Sequence, residues 1–115
     1  MNNKTIVTKV ANAFLAKDIE TVLLYMTDDV QMGWPGYFDL APGKEAVRQF
    51  ISNVPELVAG QVGDMVEEGN KVAATGTVTS REKDGTQKNS FFTDWYEIEG
   101  GKVKSIRSYM VFEQK

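Results

Sequence analysis

The sequence has 115 residues, 42% of them hydrophobic and 25% charged, with a formal net charge of −3. That balance describes one globular domain spanning residues 1–115, long enough to bury roughly two-thirds of its unfolded surface. Cysteine and histidine are both absent, which excludes disulfides, thiolate and imidazole metal sites, and catalysis by either side chain.

Acid–base chemistry is therefore left to Asp, Glu, Tyr and Lys. The acidic balance argues against a nucleic-acid partner, since phosphate binding needs a basic surface. Lys102, Lys104 and Arg107 form a small basic cluster, read here as a solvated strand face. No apolar run approaches the ~20 residues that cross a bilayer, so no membrane role is expected. The opening "MNNKTIVTKVANAF" lacks a signal-peptide core, so the expected location is cytoplasmic.

Ile6, Val7, Val10, Ala11, Phe14 and Leu15 recur at helical spacing, which predicts an amphipathic helix over 3–16. Asp18 suits the N-cap of a second, short helix with Ile19, Val22, Leu23 and Met26 on one face. A brief strand is expected over 30–32. "GWPGYFDLAPG" then reads as a loop, broken by prolines and glycines. Helical spacing returns over 44–54 through Ala46, Val47, Phe50, Ile51 and Val54, and Pro55 stops it.

From Gln61 the pattern turns to strands. Gly69-Asn70, Asp84-Gly85 and Gly100-Gly101 are hairpin dipeptides, and they separate four β segments. The segments over 71–81, 88–99 and 102–113 exceed the usual strand length, and long antiparallel strands twist and curl. Gly76 would ease a bend or a close approach. Helices followed by a meander give an α+β domain, a curved antiparallel sheet forming a cone around about three N-terminal helices.

Alternation along the "FFTDWYEI" strand puts Phe92, Asp94, Tyr96 and Ile98 on one face. Phe91, Thr93, Trp95 and Glu97 take the other. In the last strand Ile106, Ser108, Met110 and Phe112 share a face, opposite Val103, Arg107, Tyr109 and Val111. Both sheet faces are thus apolar or aromatic. One must cover the helices, and the other, with Phe91, Trp95, Tyr109 and Val111, reads as a homodimer surface or as a scatter of exposed aromatics.

The order helix, "AKDIETVLLYMTDDVQM", loop, "GKEAVRQFI" and a meander ending "DWYEIEGGKVKSIRSYMVFE" resembles the nuclear transport factor 2-like superfamily. Within it the chain is similar to the SnoaL-like polyketide cyclases and the bacterial ketosteroid isomerases. The resemblance spans nearly the whole chain. It implies the cone fold, an apolar cavity and cofactor-free chemistry. The isomerase pattern places its base at Trp34, its oxyanion tyrosine at Val10 and its protonated acid at Asp94, so one of three positions matches. An epoxide hydrolase pattern would need arginine where Phe92 stands.

Asp94 is the candidate catalytic residue. A carboxyl among aromatics is desolvated, which raises its pKa. Kept neutral it donates a hydrogen bond to a ligand oxygen, the role that the resemblance to the ketosteroid isomerases implies; charged, it is a general base, as in the cyclases. It could equally complete the core by bonding Tyr25, Tyr37, Trp34 or a backbone N–H. Tyr37 or Tyr25 would be the hydrogen-bond donor beside it. Trp34, Tyr37 and Phe38 are placed at the cavity mouth, or plug it. Phe14, Phe50 and Met110 form its wall or simply the core, and Phe92 and Tyr96 join from the Asp94 face. Asp39 is a displaced base or a turn residue. No metal spacing appears. The expected partner is a small hydrophobic, carbonyl-containing molecule, converted by proton transfer, isomerisation or cyclisation, or else only bound.

Overall fold

The computed structural model describes residues 1–114. Helix α1, Asn3–Leu15, starts where the Asn2 side chain accepts the Thr5 N–H at 2.8 Å. Ile6, Val7, Val10 and Ala11 bury its inner stripe, as their spacing predicts. The chain turns through Lys17, whose φ of 53° is left-handed, and the Lys17 ammonium donates to the Val54 carbonyl at 3.1 Å. Asp18 then caps α2, Ile19–Leu24, accepting from the Thr21 hydroxyl at 2.7 Å.

Met26 does not continue α2. It opens β1, Met26–Trp34, which is longer than the brief strand expected. The Tyr25 carbonyl accepts the Val103 N–H at 2.7 Å, and that bond draws the chain into the sheet one residue after the helix ends. The expected loop is also more regular than its composition suggests. Trp34 pairs with Phe38 and Gly33 with Asp39, so Pro35 and Gly36 turn a hairpin into β2, Phe38–Asp39. Helix α3, Lys44–Asn53, buries Val47 and Ile51. Pro55 ends it by holding Val54 extended, at φ −71° and ψ 154°.

The meander follows: β3, Glu56–Glu68; β4, Lys71–Arg81; β5, Gln87–Glu99; β6, Lys102–Phe112. β3 starts ahead of the expected Gln61, because Glu56 and Leu57 already pair with Arg81 and Ser80. The six strands form one curved, unclosed sheet in the order β2-β1-β6-β5-β4-β3. Its meander pairs are antiparallel as expected, while β1 joins β6 in parallel, which sequence order alone did not reveal.

One inner-face assignment is corrected. Val103 is fully buried, beside Ile106, and not on the outer face with Tyr109. Glu97 pairs with Ser105 but Ile98 with Val103, so Lys104 is an extra residue. Such a bulge breaks the two-residue alternation and turns both Val103 and Ile106 inward. The core they enter joins α1, α2 and α3 to the concave side of the sheet through Val10, Val22, Met26, Val47, Val72 and Tyr96. Among the described residues no helix is long and apolar enough to cross a membrane.

Candidate functional site

A cavity of about 320 Å³ lies between the helices and the concave side of β4, β5 and β6. Phe14 reaches it from α1, Phe50 from α3, Trp34 from β1 and Phe38 from β2. Phe92 and Asp94 enter from β5, and Ser108 and Met110 from β6. The rings are clustered: Phe38 and Phe50 lie 5.3 Å apart, and Trp34 meets Phe38 edge-on at 6.4 Å. This volume and largely apolar wall suit a small organic ligand.

Asp94 is the carboxyl at the sheet end of this space. The β5–β6 register sets it directly opposite Ser108. The Ser108 hydroxyl donates to Asp94 Oδ1 at 2.5 Å, and the Tyr96 hydroxyl approaches Oδ2 at 3.5 Å. Burial raises the Asp94 carboxyl to about 6, against the pull of these two hydroxyls in the other direction. At neutral pH such a group is largely a carboxylate, yet far more basic than one in water.

Three expected lining residues are not brought to the cavity. Tyr37 is 75% exposed; it stacks on Trp34 with ring centroids 4.2 Å apart, because the tight Pro35-Gly36 turn leaves it outside the hairpin. Tyr25 ends α2 and packs on the core, with its backbone committed to Val103. Tyr96 is 0% exposed and sits behind Asp94, touching the site only through its hydroxyl. Its phenol is pushed well above the usual value, first by burial and then by the Asp94 charge, so it stays neutral. The partner proposed for Asp94 therefore changes from Tyr25, Tyr37 or Trp34 to Ser108 and Tyr96. Asp39 is exposed in β2 and does not line the cavity.

Residues not singled out from the sequence also line the space. Ser108 is the chief one. Ser80, Ser90, Glu82 and Lys88 add polar groups toward the opening, although Ser90 is committed to the Val78 carbonyl at 3.2 Å. The signal for Ser108 was its place on the Ile106 and Met110 face, but no alternation rule singles out a serine there. Among the described residues no group of three carboxylates is placed to hold a metal. On the outer side, Phe91, Trp95, Tyr109 and Val111 are all exposed.

Comparison with known proteins agrees with this architecture. Residues 7–106 match the profile of the SnoaL-like domain. No curated protein matches the sequence. A proposed ketosteroid isomerase from Kribbella flavida superposes with a TM-score of 0.84 at 13% identity, over 98% of this chain and 80% of that one. A proposed polyketide cyclase from Xanthomonas campestris pv. campestris gives 0.76 at 18% identity, over 93% and 88%. TerC, co-crystallised with polyporic acid, gives 0.75 at 23% identity, over 96% and 91%. At these identities the structural likeness shows the fold alone.

Proposed function

The chain belongs to the SnoaL-like domain family, and on that basis we propose that it binds a small hydrophobic carbonyl compound and moves a proton on it through Asp94. The observation that carries this reading is a carboxyl with a pKa of about 6, held by two hydroxyls, on the wall of an otherwise apolar cavity. TerC, of the same fold, was crystallised with an organic ligand, which is consistent with a ligand-holding cavity here.

The chemistry follows from the groups present. Asp94 takes a proton from the carbon beside the ligand carbonyl, and the electron pair moves into an enolate. Neutral Asp94 then returns the proton to the same carbon or to a conjugated one, which is exchange or isomerisation. Ser108 and Tyr96 steady the carboxyl through both steps and touch no reacting atom. A positioned base of this kind supplies about 10²–10⁴-fold. The described lining holds no phenol, and its one other carboxyl, Glu82, is paired with Lys88, so no such donor is left to hold the enolate oxygen. That gap favours a second reading, in which the cavity binds its ligand without turning it over.

The two readings separate on 2-nonanone in D₂O. Under the first, NMR shows deuterium entering beside the carbonyl at a protein-dependent rate, and Asp94→Asn removes it. Exchange that survives Asp94→Asn sinks the catalytic role, and binding without exchange leaves the second reading.

We also propose that the outer face pairs with a second copy of the chain. Phe91 lies directly opposite Val111, and Thr93 opposite Tyr109, so the exposed apolar side chains form one continuous patch across β5 and β6.

A further inference from the structure

We propose that the ligand is an amphipathic acid, seated with its carbonyl at Asp94 and its carboxylate at Lys88 in the cavity mouth; this rests on the cavity reading above. Lys88, Ser90, Phe92 and Asp94 alternate onto the same face of β5, and all four line the cavity. Lys88 and Asp94 stand six residues apart, about 20 Å along an extended strand, and the long lysine side chain shortens that span. The wall between them is mainly aromatic and aliphatic. A ligand filling the space thus meets charge at two ends and none in the middle.

Lys88 is the one cation in the described lining, and it gives the mouth a group that an anion can pair with. The Lys88 ammonium lies 5.9 Å from the centroid of Phe112, itself part of the wall. Its ion pair with Glu82, at 3.7 Å, is half-exposed and weak, so a ligand carboxylate can replace Glu82. The opening continues into an outer groove that shares Val54, Pro55, Glu82 and Lys88 with the cavity and adds Arg81, Lys83 and Asp84. Its carboxylates are engaged: Glu56 with Arg81 at 3.3 Å, Glu82 with Lys88, and Asp84 with the Thr86 N–H at 2.9 Å. Arg81, Lys83 and Lys88 balance Glu56, Glu82 and Asp84 in this groove, so the draw on a ligand carboxylate comes from Lys88 itself, at the point where groove and cavity meet. At the far end the Asp94 carboxylate repels a second anion. The two ends together fix the direction in which an acid enters, carbonyl first.

The test is calorimetric binding of 8-oxononanoic acid, its primary amide and 2-nonanone at low salt. The acid is expected to bind roughly five- to tenfold tighter than the amide, with an advantage that fades as salt rises. Lys88→Gln should bring the acid down to the amide, and Glu82→Gln should tighten the acid by removing its competitor. Equal affinity of acid and amide, or an advantage that survives Lys88→Gln, overturns the proposal. If 2-nonanone binds while the acid gains nothing, only this inference falls. If none of the three binds, the cavity reading falls with it.

Discussion

Gly76 on β4 faces Phe92 on β5, and the Phe92 ring lies where a Cβ on residue 76 would stand. The same Cβ would come within 2.5 Å of the Gln61 carbonyl oxygen on β3. Glycine here allows an aromatic ring to lie flat against the sheet and bound the cavity from below. Gly76→Ala must therefore displace both a ring and a backbone carbonyl, at about 1–3 kcal/mol. The ring lines the cavity, so a displaced ring alters the ligand space. We expect a lower melting temperature together with weakened binding of 2-nonanone, and Gly76→Ala/Phe92→Ala should recover part of the binding. Full binding by the single variant would show that the ring does not bound the ligand space.

Asp94 makes stability depend on pH in a defined direction. Its carboxyl sits at about 6 in the folded chain against 3.8 for an ordinary aspartate. The folded state holds that proton more tightly, so stability from this group is present below pH 4 and is lost as pH rises to 6. The loss is at most about 3 kcal/mol. Urea denaturation at pH 4 and pH 7.5 should show Asp94→Asn gaining on the wild-type chain at the higher pH. Parallel pH curves would mean that the carboxyl is solvated in the folded protein.

Ser108 tunes the same group. Its hydroxyl holds Asp94 down against burial. Ser108→Ala should move the midpoint of deuterium exchange upward from about 6, with a Thr substitution restoring it. A role confined to packing would lower the rate at every pH and leave the midpoint where it was.

On the outer face, Trp95→Arg places a charge in the middle of the exposed aromatic patch. Sedimentation at micromolar concentration should show the mass falling from two chains to one, with the helical signal intact. An unchanged mass would remove the pairing surface from β5.

Thr27 presents the reverse problem to Asp94. Its hydroxyl is buried with no hydrogen-bond partner among the described residues. Thr27→Val replaces an unsatisfied polar group with a methyl of the same shape, and should leave stability unchanged or raise it by about 1 kcal/mol. A destabilisation of that size would reveal a partner for the hydroxyl.

Much of this architecture was legible in the residues. Asn3 to Leu15 carried the helical stripe, Asp18 announced its cap, and the glycine-containing dipeptides marked each hairpin of the meander. The site was legible only by face. Counting back from the Glu99–Lys102 hairpin ends in strict pairs sets Asp94 opposite Arg107, which alternation places on the other face. The bulge at Lys104 shifts the count by one and sets Ser108 opposite Asp94 instead. No propensity signals where that extra residue falls, because Lys104 reads as an ordinary exposed strand residue. Tyr37 misled for a similar reason. Its neighbours Trp34 and Phe38 both line the cavity, but a tight turn decides ring direction by backbone geometry and not by hydrophobicity.

The place of β6 between β1 and β5 has a consequence for the order of assembly. It is synthesised after every other element described, yet it is an interior strand. Until it emerges, the helical half and the β3–β5 meander share no ladder, and each presents an unpaired strand edge. Nascent chains should therefore remain susceptible to protease until β6 is made, then become resistant in one cooperative step.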